Sequence, residues 1–459
     1  MPLTCNGSEA LCAPVAQQGP NTHLSERSPP HNETKLRAFE GVVLAPVAGP
    51  RPPRTMITPP RPLSNLLVVL LVSFSSALMP STFAKPHDTQ LATADAAIGA
   101  RVGAAVAVDQ DLLVVGAPDD DEAAPFAGAV YVSVQHGNQW QKPTKLLGPA
   151  THGYRAFGDS VAVSGETVVI GAPFDDPNDA ATGAVFVYTR NGSSFTLQAK
   201  LTPSDSTPNQ LFGDAVAIDG DTIVVGAFLD AGRAPNAGAA YVFVRQGSSW
   251  KQQAKLTASD ASEYAFFGSA VAIDGGTIVI GAPTTESSYI FSRHQNAWTQ
   301  DLVLTASDAS VGDYSAFGAS VAIDGGTVLV GAPTEGTDAP LTGAAYVFKK
   351  SGARWVEQQK LRSTHPEGGA EFGTSVAISG HQLAVGAPYA GEANAGDIEL
   401  FGAHGAVWKE KQDLTGNPAT AFLGASVGLA SDTLVGGAPA FVDYSGTQST
   451  GAAYVFRVH

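Results

Sequence analysis

The sequence is poor in cysteine and in charged residues. Its 459 residues include only two cysteines, Cys5 and Cys12, and both precede every repetitive segment. A disulfide framework, a thiol nucleophile and a cysteine-ligated zinc site are therefore excluded from the repetitive part of the chain. Only 15% of the residues are charged, whereas glycine occurs 50 times. Low charge with abundant glycine is typical of an all-β protein with many turns.

Common catalytic signatures are missing as well. The ten histidines are scattered without an HExxH motif, and neither a GxSxG sequence nor a phosphate-binding loop is present. Gly158-Asp159-Ser160 resembles the start of a GDS-type esterase motif. The equivalent positions elsewhere in the chain hold other small residues in varying order. We therefore interpret Ser160 as a packing residue and predict that the protein is not an enzyme.

Acidic residues outnumber basic ones. The chain has 42 aspartates and glutamates against 26 lysines and arginines, which gives a net charge of −16 at pH 7. This excess of negative charge argues against nucleic acid and anionic membranes as partners. Cations, basic proteins and neutral glycans remain open as ligands.

An apolar run at residues 66–78 is too short for a membrane-spanning helix, which needs about 20 residues. It is preceded by Arg54 and Arg61 and followed by the small-residue segment 81–84. These features predict a secretory signal peptide over residues 56–84. An uncleaved anchor and a buried helix are the alternatives. A cleaved leader would make the protein secreted, extracellular or periplasmic, with no membrane span in the mature chain.

Residues 1–55 contain Pro29-Pro30 and Pro52-Pro53 and show no apolar periodicity. We predict that they are disordered or an over-extended start, because Met56 stands where an ordinary leader would begin. Amino-terminal sequencing of the exported protein should give a start near Lys85. Peptides from residues 1–55 in that protein would contradict this prediction.

Residues 85–459 are built from one repeated segment. A well-defined copy reads FGDSVAVSGETVVIGAP, from Phe157 to Pro173, and seven copies align. The glycines of the GAP-like triplets follow one another at intervals of 55, 55, 55, 50, 55 and 51 residues. A fixed period of this length indicates a repeat architecture. The seven glycines are Gly116, Gly171, Gly226, Gly281, Gly331, Gly386 and Gly437.

Each copy predicts a β-hairpin followed by two more strands. In the third copy two apolar runs flank Asp219-Gly220-Asp221, and Asp-Gly in such a position favours a tight turn. The runs are apolar nearly throughout, which indicates strands buried on both faces. A third strand of the GAAYVF type follows, and then a fourth with an aromatic residue near its start. In the first copy this fourth strand is predicted over Trp140 to Leu146.

Four antiparallel strands in each of seven repeats predict an all-β fold, a seven-bladed β-propeller. The first strand of each blade would line the central channel and the fourth would lie outermost. The last copy has no room for a fourth strand, because only Arg457, Val458 and His459 follow its third. Residues 87–91 align with the end of a fourth strand. We therefore predict that the N-terminal strand of the mature chain closes the ring against the strand around Tyr454.

The Phe-Gly opening and Gly-Ala-Pro close of the copies resemble FG-GAP repeats, which form the seven-bladed propeller of integrin α chains and of many secreted bacterial proteins. The resemblance covers about residues 86–459. It implies a binding or adhesion module for an extracellular protein or glycan, and we expect a monomer. The alternatives are a propeller enzyme, a glycan hydrolase or lyase with its site at the channel mouth, and a purely structural surface protein.

The calcium loops of integrin-type blades do not carry over. In such blades the first turn is often enlarged so that alternate carboxylates surround the ion. Here that turn is as short as Asp219-Gly220-Asp221, and its aspartates are interpreted as turn formers. No cofactor is indicated with certainty. Candidate calcium ligands follow the first two GAP triplets, and the alternative is a solvated surface. These candidates are Asp119, Asp121, Asp175 and Asp176.

The loops that lead into the first strands carry further acids. In a propeller these loops share one face with the loops after the GAP triplets. We therefore predict one strongly negative face and place the ligand there, around the channel mouth. The acids of the leading loops are Asp205, Asp260, Asp308, Asp313 and Glu371.

Overall fold

A computed structural model describes residues 89–91, 93, 95–148, 155–175, 180–309, 314–337, 339–352, 354–416, 422–439 and 450–458. The predicted leader, the segment before it, Asp176 and Asp313 lie outside these residues. The described part contains 29 β-strands and two short 3-10 turns, Pro283–Thr285 and Glu392–Asn394. Within that part no helix is both long and apolar enough to cross a membrane.

The strands form seven sheets, which we number as blades along the chain. Blade 1 contains β2 (Val106–Asp109), β3 (Leu112–Ala117), β4 (Ala129–His136), β5 (Gln139–Trp140) and β6 (Thr144–Leu147). Blade 2 contains β7 (Val161–Ser164), β8 (Thr167–Ala172), β9 (Ala184–Asn191) and β10 (Ser194–Leu201). Blade 3 contains β11 (Val216–Asp219), β12 (Thr222–Ala227), β13 (Ala239–Gln246) and β14 (Ser249–Leu256). Blade 4 contains β15 (Ala270–Asp274), β16 (Thr277–Ala282), β17 (Ser287–His294) and β18 (Ala297–Leu304).

The remaining blades repeat the same order. Blade 5 contains β19 (Ser320–Asp324), β20 (Thr327–Ala332), β21 (Ala344–Ser351) and β22 (Arg354–Leu361). Blade 6 contains β23 (Ser375–Ser379), β24 (Gln382–Ala387), β25 (Asp397–His404) and β26 (Val407–Thr415). Blade 7 contains β27 (Ser426–Ala430), β28 (Thr433–Ala438), β29 (Ala452–Arg457) and the N-terminal strand β1 (Thr89–Gln90).

The predicted seven-bladed propeller and its closure are confirmed. Neighbouring strands within each blade pair antiparallel, and the first strands of adjacent blades contact one another around the ring. Thr89 pairs with Val455 and Gln90 with Tyr454, so the first and last strands that the structure describes share blade 7. The N–H of Leu91 extends this pairing by donating to Ala453 O at 2.9 Å.

The hydrophobic core lies between the blades. The second strands are buried along nearly their whole length, as their unbroken apolar runs predicted. Each core cluster joins two neighbouring blades. In one of them Val224 of blade 3 packs with Ile278 and Ile280 of blade 4, beneath Phe267. Every blade therefore depends on its neighbours for burial of its apolar faces.

Glycine is required where adjacent blades approach each other most closely. A Cβ atom built on Gly171, in a GAP triplet, would lie 2.0 Å from the carbonyl oxygen of Gly213 in the next FG pair. Gly213 itself has a φ of +97°, a region that other residues rarely adopt. The hydroxyl of Ser160 donates to the same carbonyl at 2.8 Å. Ser160 thus joins two blades, which agrees with its interpretation as a packing residue.

The turns between first and second strands also connect neighbouring blades. Asp109 Oδ2 accepts the N–H of Gly165 in the next blade at 2.7 Å, and Asp219 Oδ2 accepts that of Gly275 at the same distance. The turn aspartates therefore cross-link blades in addition to forming turns. We call the face that carries these turns the turn face.

The fourth strand of blade 1 differs from its prediction. Trp140 to Leu146 was expected to form one strand, but β5 ends at Trp140 and β6 begins at Thr144. Pro143 lies in the interruption, and proline has no N–H to donate to a strand ladder.

Candidate ligand-binding face

The face opposite the turns is formed by two kinds of loop, and we call it the loop face. One kind connects the second and third strands, and the other leads into each first strand. Lys255 shows that the two kinds meet, because its ammonium lies 2.7 Å from Asp205 of a leading loop and 2.9 Å from Asp230 of a connecting loop. The acids that the sequence assigned to these loops therefore lie on a common face in blade 3.

A lysine near the end of the fourth strand pairs with carboxylates on this face in four blades, with two carboxylates in blades 1, 3 and 5 and with Asp175 in blade 2. In blade 5, Lys360 lies 2.6 Å from Asp308 and 3.0 Å from Glu335, and Tyr346 OH donates to Asp308 at 2.9 Å. Burial acts to raise the pKa of Asp308, but hydrogen bonds from Lys360 and Tyr346 lower it below its usual value. Much of the predicted negative charge is thus neutralised locally. The lysines concerned are Lys145, Lys200, Lys255 and Lys360.

The two candidate cation ligands of blade 1, Asp119 and Asp121, have different environments. Asp119 faces Arg101 at 3.6 Å, and burial raises the pKa of Asp119 although Arg101 opposes this. Asp121 is exposed. The intervening Asp120 is the buried acid, and Lys145 lies 2.8 Å from it.

In blade 2 the candidate Asp175 is 4% exposed and is paired with two cations, Arg155 at 3.3 Å and Lys200 at 2.6 Å. Among the residues that the structure describes, no three Asp, Glu, His or Cys side chains are arranged to hold one metal ion. Asp176, the fourth candidate, is outside those residues, so the predicted calcium site stays a prediction.

The channel opens on the loop face through a cavity of about 280 Å³. It is lined by the start of each innermost strand and the residues just before it, which in blades 2 and 3 include Asp159 and Asp214. Both side chains reach the channel, yet the surrounding blades exclude most bulk water from them. Burial raises the pKa of Asp159 to about 6, with Arg101 opposing, and burial together with Asp159 raises the pKa of Asp214 to about 8. The sequence shows both aspartates, but only the closed ring brings them together.

Large apolar side chains are exposed on the loop face. They come from loops of different blades, and Tyr264 and Tyr389 among them contact further aromatic rings. The ring centroids of Tyr264 and Phe266 are 6.3 Å apart, and those of Tyr389 and Phe422 are 5.4 Å apart. The exposed residues are Ile98, Phe126, Tyr264, Tyr314, Leu341 and Tyr389.

The residue before each Phe-Gly pair, or its counterpart in blades 1 and 7, adopts a left-handed conformation. The seven φ angles lie between 52° and 68°, although none of these residues is glycine. Their side chains, which include Arg101, Phe266 and Glu371, therefore leave the backbone at equivalent points around the channel. This left-handed conformation was not predicted from the sequence, where its signal is the fixed position before Phe-Gly. The residues are Arg101, Ala156, Leu211, Phe266, Ala316, Glu371 and Phe422.

Fold and loop face together define a seven-bladed propeller of the kind that serves as a binding or structural module. Six segments of the chain match the family model described as FG-GAP repeat, and together they span more than half of its length. The chain therefore belongs to the FG-GAP repeat family. The structure adds the seventh blade, whose strands β27, β28 and β29 lie outside the matches. The matched segments are 88–133, 140–188, 195–243, 250–291, 298–348 and 355–401.

Solved structures resemble the chain in fold alone. The crystal structure of the WD40 repeats of RRP9 is 11% identical with a TM-score of 0.51, and the match covers 81% of this chain and 97% of the other. The structure of U3-55K is also 11% identical, with a TM-score of 0.50 and coverage of 80% and 98%. No functionally curated protein matches the chain in sequence.

Proposed function

We propose that this protein is a secreted or cell-surface binding module that takes an extracellular protein or glycan on its loop face. The observation that carries the proposal is the set of exposed tyrosine and other apolar side chains on the loop face. Tyr264 is 50% exposed and Tyr314 is 54% exposed. Exposed apolar side chains on one face mark a binding surface where they form a contiguous patch.

The chemistry of the loop face favours a basic protein surface or a neutral glycan. Tyrosine offers a rigid apolar ring and a hydroxyl, a combination enriched at binding surfaces. The channel carboxyls and the exposed Asp121 would accept hydrogen bonds from ammonium, guanidinium or sugar hydroxyl groups. The net charge of −16 would repel acidic ligands.

An array of extracellular-matrix proteins and glycans tests the proposal. Tyr264→Ala combined with Tyr389→Ala should weaken capture of any ligand that the wild type binds, by about tenfold or more. Val356→Ala is the matched control, because Val356 is 53% exposed on the fourth strand of blade 5, away from the loop face. Equal binding by both variants would contradict this assignment. A blank array with the wild type would favour a purely structural surface protein.

A second candidate is an enzyme acting on glycans, a hydrolase or lyase. It is supported by Asp159 and Asp214, whose raised pKa values would let one carboxyl stay protonated near neutral pH and donate a proton. Release of reducing sugar from an array ligand by the wild type, abolished in Asp214→Asn, would establish this activity. Binding without turnover would favour the module.

A cation bound near Asp119, Asp121, Asp175 and Asp176 is the remaining part of the proposal. Calorimetric titration of the protein with calcium tests it, with Asp121→Asn and Asp176→Asn as variants. Heat at millimolar calcium that is lost in the variants would support the site. No heat in the wild type would leave these acids as a solvated surface.

A further inference from the structure

Blade 6 departs from the other blades at the position of the lysine cross-link. In blade 5, Tyr346 of β21 pairs across the sheet with Lys360 of β22, and this lysine contacts two carboxylates. In blade 6, the cross-strand pair at the same register is Glu399 and Asp413. Two acids thus face each other where blade 5 places an aromatic ring and an ammonium group. Like charges in such a position destabilise a sheet.

A third acid, Asp397, adds to this pair. It lies two residues before Glu399 and therefore on the same side of β25. Glu399 is 1% exposed and Asp397 is 7% exposed. One oxygen of each side chain, Glu399 Oε1 and Asp397 Oδ1, is buried without a hydrogen-bond partner. A buried carboxylate left in this way is costly, and the cost falls when the group binds a proton.

The protonation of these groups follows from their surroundings. Burial, then a hydrogen bond with Asp413 and the charges of Asp413 and Glu399, raise the pKa of Asp397 far above its usual value. Burial raises the pKa of Glu399 to about 7, and the charges of Asp413 and Glu410 act in the same direction. Hydrogen bonds from Ser363 and the Thr364 N–H oppose the shift of Glu399.

The same acids hold the loop between β22 and β23. The N–H of Thr364 donates to Glu399 Oε2 at 3.3 Å, and His365 Nδ1 lies 3.4 Å from Asp413 Oδ2. The loop then runs to Glu371, one of the left-handed residues around the channel mouth. This loop therefore links the acids of blade 6 to the loop face.

We propose that Asp397, Glu399 and Asp413 form a proton-controlled latch, which holds β26 on β25 in acid and loosens this edge of blade 6 in alkali. In acid Asp397 and Glu399 are protonated, so neither places a negative charge beside Asp413. In alkali the ionised acids of β25 repel Asp413 and Glu410 of β26.

The direction of the effect follows from linkage. Unfolded carboxyls titrate near pH 4, whereas the folded groups keep their protons to higher pH. The folded chain therefore binds more protons between these limits. The contribution to stability is complete below about pH 4 and is lost as the pH rises through about 7 and beyond.

Hydrogen exchange of the full chain on either side of the Glu399 pKa tests the latch. After correction for the intrinsic pH dependence of exchange, amides of β26, residues 407–415, should lose at least tenfold in protection in alkali, while the other blades keep theirs. Asp413→Asn should reduce this loss. Glu399→Tyr combined with Asp413→Lys copies the blade 5 pair and should abolish it.

Asp301→Asn is the matched control, because it removes one carboxylate from an exposed hydrogen bond with Ser292 on the outer strand of blade 4. It should behave as the wild type. Equal protection at both pH values, or a loss that survives in the double variant, would overturn the latch. So would full restoration of protection by millimolar calcium in the wild type alone, because the cluster would then be a cation site. None of these measurements involves a ligand, so a negative result would not count against the proposed binding function.

Discussion

Close backbone approach makes the GAP glycines sensitive to single-atom changes. Gly171→Ala would place a methyl group 2.0 Å from Gly213 O and 2.2 Å from Ser160 Oγ. Because the obstacle includes backbone of the next blade, the two blades must separate, and we expect a loss of about 3 kcal/mol in the free energy of unfolding.

Urea denaturation measures this loss, and Gly165→Ala is the control. Gly165 also has a positive φ, 53°, but a methyl group there would meet nothing within 4 Å. Its substitution should cost only the backbone strain, about 1 kcal/mol. Equal losses for the two variants would show that blade contact is not what demands glycine at Gly171.

The channel aspartates should make stability depend on pH. The pKa of Asp214 is raised to about 8 in the folded chain, so the folded state holds a proton that the unfolded state releases near pH 4. The contribution of this proton to stability is lost as the pH rises to about 8. Asp214→Asn should therefore match the wild type near pH 4 and melt at a higher temperature above pH 8.

Thermal unfolding across this pH range measures the difference, with Asp121→Asn as the control for an exposed aspartate on the same face. A constant difference between wild type and Asp214→Asn at every pH would refute the role of the proton.

At the scale of the element, the lysine cross-link should determine how firmly the fourth strand holds the loops. Lys255→Met keeps the apolar stem but leaves Asp230, which is 1% exposed, without its ammonium partner. We expect a loss of about 2 kcal/mol, below the full cost of breaking a buried pair because Lys255 is partly solvated.

Lys251→Met is the control for this change, because Lys251 is exposed on the same strand, β14. Chemical denaturation should find it close to the wild type. A similar loss in both variants would assign the effect to strand propensity rather than to the cross-link.

The hairpins were predictable from local chemistry, whereas the cross-links were not. Asp219-Gly220 between two apolar runs specifies its own turn, and the repeat period specifies how many blades follow. The partners of Lys255 lie 25 and 50 residues away along the chain, so only the assembled blade selects them. The acidic substitution at Asp413 is visible in the sequence, but its meaning depends on the register that places Glu399 opposite.

The candidate site, too, was predictable only in part. The sequence indicated which face would carry the acids, but it singled out Asp119 and Asp121 and overlooked Asp120, which is fully buried beside Lys145. Asp159 was interpreted through a local motif, yet its raised pKa arises from burial within the ring and from the charge of Asp119, and Asp159 in turn raises the pKa of Asp214 in the next blade. Burial is a property of the closed ring.

At the scale of the whole molecule, closure decides whether the ring behaves as one unit. A linear repeat protein can lose an end repeat by itself, because each repeat contacts only its neighbours. Here Leu91, Val115 and Val455 share one core cluster, so the first segment of the chain, blade 1 and blade 7 are packed together. Opening the ring at this point exposes the apolar faces of two blades.

Removal of the N-terminal strand should therefore weaken the entire propeller. A chain that begins after residue 93 loses the pairing of Thr89 and Gln90 with β29 and the burial of Leu91, which is 4% exposed. We expect a loss of about 3 kcal/mol and, because the edge of β29 is uncovered, association of chains at high concentration. Thermal unfolding and light scattering measure the two effects. A chain that begins at Lys85 is the control and should melt as the full chain does. An unchanged melting temperature after the longer deletion would mean that the blade contacts alone hold the ring closed.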